Sequence, residues 1–217
     1  MSVKLWPLLR GLGIGLLAVA WAVGSHVASA SGEASAWGAA LALAPLVVAA
    51  GVGLWRWPQR WLAALLALGL LAMLVAAWPF LKTEVAWLYF VQHLGIYGLL
   101  CALFARSLGG PGESLVSQMA RKVHGGVLTP RQQVYTRQVT VAWSVFFAAM
   151  VLVSIGLFAW ASLSAWSTFA NLLGGPLIGA MFVGELLWRR HILPAGERAS
   201  LSDTVRAWRA RQSDAEP

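Results

Sequence analysis

The amino-acid sequence predicts an all-α integral membrane protein with six transmembrane helices and both termini in the cytosol, and three observations carry that expectation. Of its 217 residues 59% are hydrophobic and 11% charged, against roughly 25% charged in an ordinary soluble domain. The apolar residues fall in six runs of about 20, the length that crosses a hydrocarbon core of about 30 Å at 1.5 Å per residue. The basic residues are segregated. With the N-terminus inside, six crossings put 15 of the 16 Lys and Arg residues on the cytosolic side (Lys4, Arg10, Arg56, Arg60, Arg106, Arg121, Lys122, Arg131, Arg137, Arg189, Arg190, Arg198, Arg206, Arg209 and Arg211) and only Lys82 outside, as the positive-inside rule requires. An odd number of crossings would break that segregation, so count and orientation support each other. The net charge of +8 is thereby a matter of topology. A nucleic-acid partner would instead need basic residues interleaved with stacking aromatics on a solvated face.

The first span runs from Leu8 to Val27. Lys4 and Arg10 at its start and "ASASGEASA" after it imitate a secretory signal. The apolar run is longer than the 7–15 or so residues of a cleaved signal, however, and leads straight into a second span, so a retained helix is expected. Spans two to six cover Ala36 to Leu54, Trp61 to Phe80, Val85 to Ala105, Val139 to Leu163 and Ser167 to Trp188. The external connections are short, "SASGEAS", "LKTE" and about "SLSAW", so the non-membrane mass is cytosolic: the turn "RWPQR", a loop over 106–138 and a tail over 189–217. Together these make one six-helix membrane domain. The single Cys101 lies within the fourth span, which excludes an intrachain disulfide and a cysteine metal cluster.

The cytosolic loop carries its own signals. In "ESLVSQMARKV", Leu115, Val116, Met119 and Val123 recur at helical spacing with Arg121 and Lys122 on the other side, which predicts a short amphipathic helix lying on the inner leaflet. "TPRQ" then supplies a cap at Thr129, a proline at the first helical position and Gln132 to complete a capping box, so the fifth helix is expected to begin near Pro130. Arg137 follows where cytosol would meet head groups, with Tyr135 and Trp143 as interfacial aromatics. It can be a lipid-phosphate anchor, an anion-binding group or part of a catalytic site. The tail segment "SLSDTVRAWRARQ" predicts a last amphipathic helix capped by Ser202, with Leu201, Val205 and Trp208 on one side.

Ionisable and amide groups inside a span are costly and therefore functional candidates. The fourth span carries Gln92 and His93, and Tyr89, His93 and Tyr97 share one face at spacings of four. They can relay a proton, bind a polar group of a substrate, or hydrogen-bond to neighbouring helices. The sixth span carries Asn171 near its outer end, Pro176, which is expected to kink it, and a small-residue seam at Gly175 and Gly179. Glu185 near its inner end needs a cation, and Arg189 on its own helix and Arg137 across the bundle both qualify. They form either a structural pair or a charged pocket for an anionic head group or a carrier-borne acyl group. Several chemistries are missing. No H-x-x-x-x-D box, G-x-S-x-G elbow, P-loop or H-E-x-x-H motif is present, and no aspartate lies in a span. The four histidines, His26, His93, His124 and His191, fall at different depths, so no metal site and no cofactor is expected. Pro45, which should break the second span, and Pro176 do not correspond under a three-plus-three division, as the broken helices of an inverted-repeat transporter would.

Two blocks, "LTPRQQVYTRQVTVAWSVFF" and "FANLLGGPLIGAMFVGELLWRRHILP", resemble a family of small bacterial integral membrane proteins. Its members accompany aryl polyene and xanthomonadin-like pigment clusters, whose fatty-acid-synthase-type enzymes build a polyene that ends on a lipid. The resemblance covers about the last 90 residues; the first 105 match in hydropathy alone. It implies a role in the bacterial inner membrane beside acyl-chain assembly and assigns no activity to particular residues. Members are sometimes labelled ketosynthase, but that chemistry needs a nucleophilic cysteine with two basic partners in a larger soluble fold, which a cysteine inside a membrane span does not supply. The expected function is an accessory or scaffold protein that holds acyl-assembly enzymes, or their lipid-linked product, at the cytosolic leaflet. Its partners would be membrane lipids and an acidic acyl carrier protein steered by the basic face. A small transporter or flippase using Gln92, His93 and Asn171 is the alternative, and a membrane acyl-group transferase using His93 or Glu185 as base comes third.

Overall fold

The computed structural model describes residues 5–110, 112–123 and 127–194. Every regular element among them is helical: α1 (Leu5–Ala30), α2 (Ala36–Trp55), α3 (Arg60–Leu81), α4 (Val85–Gly109), α5 (Leu115–Val123), α6 (Pro130–Trp160), α7 (Leu163–Ser167), a π-helical segment (Thr168–Leu173) and α8 (Gly174–Ile192). Six helices are long and apolar enough to cross a membrane, the last formed by α7, the π segment and α8 together. The tail helix expected over 200–212, His124 and the cations Lys4, Arg198, Arg206, Arg209 and Arg211 lie outside the described residues. Leucines and valines of α1 to α3 face outward along their length, and exposed tryptophans mark helix ends: Trp37, Trp55, Trp61, Trp87 and Trp160. That is the distribution lipid imposes, because an indole sits best where hydrocarbon meets head groups.

The described residues fall into two compact units. One holds the chain up to Leu94 together with Ser154–Gly175; the other holds Gly95–Val153 together with the chain from Pro176. In the first, α1 and α2 approach through small residues. A Cβ at Gly38 would lie 2.9 Å from the Ala28 Cβ, and one at Gly24 would lie 3.1 Å from Leu41. Ala28, Ala39 and Ala42 are fully buried there. With lipid as apolar as leucine, such close backbone packing is what holds membrane helices together. Phe90 stacks on Phe158 with ring centroids 4.0 Å apart, and the fully buried Trp166 closes the cluster, its Nε1 donating to Ser154 Oγ at 2.9 Å. Gly32 takes the left-handed conformation (φ 67°) in the turn before Ser35, whose hydroxyl caps α2 by accepting from the Gly38 N–H.

The second unit contains the later part of α4, α5, the first part of α6 and most of α8. The capping box closes in both directions: the Gln132 N–H donates to Thr129 Oγ1 at 3.2 Å, and the Thr129 N–H donates to Gln132 Oε1 at 2.8 Å. Helix α5 is held by hydroxyls. Ser117 Oγ lies 2.6 Å from Thr136 Oγ1 and 2.7 Å from Ser114 Oγ, and Thr140 Oγ1 accepts the Val116 N–H at 3.3 Å. The sequence predicts that the apolar side of this helix seeks the leaflet. The structure packs its serine side onto α6, because small hydroxylated residues on both helices satisfy one another while letting the backbones come close.

Three further expectations are corrected. Pro45 does not break its helix, since α2 is continuous from Ala36 to Trp55. The connection between the last two spans is only Ala161 and Ser162, with the Ser162 hydroxyl capping α7 at the Ala165 N–H. Gly175 and Gly179 form no packing seam among the described residues, since a Cβ at either would meet nothing within 4 Å. The final span departs from α-helical geometry before Pro176. The π turn over Thr168–Leu173 runs without a break into α8 at Gly174, so Pro176 stands beside an irregular turn of a continuous helix, where a missing ladder N–H is most readily accommodated.

Candidate functional site

The second unit encloses a cavity of about 500 Å³, within the range of roughly 300–1,000 Å³ typical of small-molecule sites. Helical periodicity builds it. Gln132, Tyr135, Thr136, Val139, Trp143 and Phe147 recur at spacings of three and four and so share one face of α6; Ile178, Phe182, Glu185, Arg189 and Leu193 do the same along α8 and just past its end. Leu100 and Phe104 of α4 and Val116, Met119 and Ala120 of α5 complete the wall with Leu128. Helices α6 and α8 run antiparallel here, as Tyr135 meets Glu185 while Trp143 meets Phe182 with ring centroids 4.8 Å apart. The lining is therefore graded. Phe147, Trp143, Ile178 and Phe182 make one end apolar, and Gln132, Tyr135, Glu185 and Arg189 make the other polar.

At the polar end the Glu185 carboxylate is fully engaged. Arg189 donates to it from Nε (3.0 Å) and from Nη2 (2.7 and 2.9 Å to the two oxygens), and the Tyr135 hydroxyl donates to Oε1. The Glu185 side chain is 11% exposed and that of Arg189 32%, so the arginine is the more accessible member of the pair. A buried carboxylate is stable only with such a partner and a complete set of donors. The arrangement leaves a neutral pair whose accessible side is cationic, suited to an oxyanion or an ester carbonyl.

Of the residues singled out from sequence, Tyr135, Trp143, Glu185 and Arg189 converge on this cavity. Tyr135 (3% exposed) and Trp143 (7%) are interior groups and do not serve as the interfacial aromatics that sequence reasoning made of them, because α4, α5 and α8 cover that face of α6. Of the two cations available to Glu185, the structure selects Arg189. Arg137 points elsewhere, its Nη2 donating to the Leu108 carbonyl at 3.2 Å in the last turn of α4, where the unsatisfied carbonyls attract a cation. Tyr97 is buried against Phe147 in the same unit. Cys101 is half-buried, with Sγ 3.6 Å from the Ser144 carbonyl.

Gln92, His93 and Asn171 belong to the first unit. Gln92 donates to the Ala42 carbonyl at 2.8 Å, tying α4 to α2, and the His93 ring lies 5.9 Å from that of Phe169. Asn171, within the π segment, donates to Ser29 Oγ (3.0 Å) and Ser167 Oγ (3.2 Å), while Ser167 Oγ also meets His26 Nδ1 at 2.8 Å. Sequence reasoning missed this knot because its members are up to 142 positions apart. The pairing resembles a serine–histidine dyad, but Ser167 has no exposed surface for a substrate to reach, and the knot serves to stitch α1 to the last span. Reasoning from sequence also missed Phe104, Ile178 and Phe182 as cavity walls. The signal for the last two was present, since they stand seven and three residues before Glu185 on one helix face. Compared with known proteins, the chain matches no family model, no curated protein sequence and no solved structure.

Proposed function

We propose that this protein is an accessory protein of the bacterial inner membrane that holds an acyl-chain amphiphile at the cytosolic leaflet, in support of aryl polyene-type lipid assembly. The observation that carries the reading is the graded cavity: a polar end with Arg189 accessible and an apolar, aromatic end fit a molecule with one oxygen-bearing terminus and a hydrocarbon or polyene chain. The polar end lies on the parts of α6 and α8 nearest the basic segments that the positive-inside rule assigns to the cytosol. The resemblance of residues 128–147 and 169–194 to the pigment-cluster family covers those same walls. Basic residues of the cytosolic segments, Arg106, Arg121, Lys122 and Arg131 among them, suit an acidic acyl carrier protein delivering or collecting the chain. The transporter alternative draws less support, because Gln92 and Asn171 are engaged in helix packing.

Photolabelling of the purified full chain in detergent with a diazirine-bearing palmitic acid tests the binding. Label is expected on α6 and α8 peptides that contain Trp143 and Phe182, and Ile178→Trp, which fills the apolar end, is expected to remove it. Label spread over α3 and unaffected by Ile178→Trp overturns the reading. The accessory role is tested by complementation of a deletion strain, in which wild type restores polyene lipid and Ile178→Trp at equal abundance does not.

A further inference from the structure

Helices α6 and α8 bound a second, smaller cavity of about 230 Å³, walled by Ala142, Met181, Gly184 and Trp188 among others. It shares two lining residues with the larger cavity, Val139 and Glu185. The two spaces thus flank the α6–α8 contact, one on either side of Val139 and Glu185. Gly184 lines the smaller one, and a Cβ there would meet nothing within 4 Å, so a larger residue can be placed at this wall without a clash.

From this geometry we infer that the bound amphiphile carries two chains joined at one polar centre, and that the occupant is a membrane glycerophospholipid. The inference rests on the amphiphile reading above and adds the class of ligand. One chain enters the larger cavity beside Phe182, the other enters the smaller beside Gly184 and Met181, and the phosphate stands at the polar end of the larger cavity, beside Arg189. A single-chain amphiphile would leave the smaller cavity unfilled, whereas a second chain tethered to the same polar group fills it and gains the van der Waals contact with Met181 and Trp188 that an empty cleft forfeits.

The test compares diacyl phosphatidylglycerol with lysophosphatidylglycerol, which has the same head group and one chain, by native mass spectrometry of the full chain in detergent. Wild type is expected to retain the diacyl lipid about tenfold or more tightly. Gly184→Leu, which occupies the smaller cavity without a clash, should lower diacyl affinity to the lyso level and leave lyso binding unchanged. Ala142→Leu, lining only the smaller cavity, should do the same, and monodisperse elution of either variant shows that the fold is intact. Equal wild-type affinity for the two lipids, or diacyl binding unmoved by both variants, overturns the inference while leaving the single-chain reading standing. Failure of wild type to retain either lipid overturns both.

Discussion

At Glu185 a single carboxylate collects three donor contacts from Arg189 and one from Tyr135, so its replacement separates charge from hydrogen bonding. Glu185→Leu takes the carboxylate from the guanidinium and leaves the phenol only the carbonyl of residue 185, 3.4 Å away, and is expected to lower stability in detergent by about 1–3 kcal/mol, while Glu185→Gln, which still accepts, should cost less. Thermal unfolding monitored by tryptophan fluorescence measures both. A double-mutant cycle then separates the two cations. Glu185→Gln with Arg189→Met should couple by about 0.5–3 kcal/mol, whereas Glu185→Gln with Arg137→Ala should add within about 0.5 kcal/mol. A coupled Arg137 cycle would contradict the observed pairing. Arg137 itself meets a helix-end carbonyl, a role that needs only positive charge near the C-terminus of α4. Arg137→Lys should therefore leave stability within about 0.5 kcal/mol, and Arg137→Glu should cost up to about 1 kcal/mol.

At the scale of elements, the short helix α5 is fastened by hydroxyls, although its sequence advertises an apolar side. Thr140 Oγ1 donates to the Thr136 carbonyl at 2.8 Å and accepts the Val116 N–H at 3.3 Å. Thr140→Val keeps the shape of the side chain and removes that acceptor, so amide exchange over 115–123 should quicken while α6 stays protected. Unchanged protection would mean that Val116 and its neighbours hold α5 by apolar contact alone. The π segment is likewise secured by side chains, because its irregular turn is clamped where Asn171 and Ser167 reach Ser29 and His26. Ser167→Ala strands the groups that meet there and should destabilise the fold by about 1–3 kcal/mol. A comparable loss is not expected for Ser164→Ala, a neighbouring serine whose side chain is in no described hydrogen bond, and thermal unfolding of the two variants side by side gives the comparison.

For the whole molecule, the segregation of basic residues predicts the topology. Reporter fusions after Glu33, Lys82 and Ala161 should report the external side, and fusions after Trp57, Gly110 and Gln212 the cytosol. A cytosolic signal after Lys82 would sink the six-crossing arrangement with both termini inside. The same experiment bears on the cavity, because its polar end lies along α6 and α8 near the Gly110 and Gln212 reporters in sequence.

Much of this architecture was legible before any tertiary contact was known. Six spans, their limits to within a few residues at most ends, and the capping box at Thr129 follow from apolar run length and local hydrogen-bond chemistry, and lipid leaves the chain almost no alternative to helices that satisfy their own backbone. That Glu185 needs a cation was legible too, with Arg189 by spacing as one of two candidates beside Arg137. What the sequence could not decide was which face of each helix meets which neighbour, since in a membrane nearly every face is apolar and hydrophobic periodicity no longer separates inside from outside. Tyr135 and Trp143 therefore read as interfacial anchors although they line a cavity, Gly175 and Gly179 read as a seam although the close approach is at Gly38, and α5 reads from its apolar and basic sides although its serines hold it. Helix packing in lipid turns on small residues and stray hydroxyls whose partners lie far away in the chain, and only the folded structure brings them together.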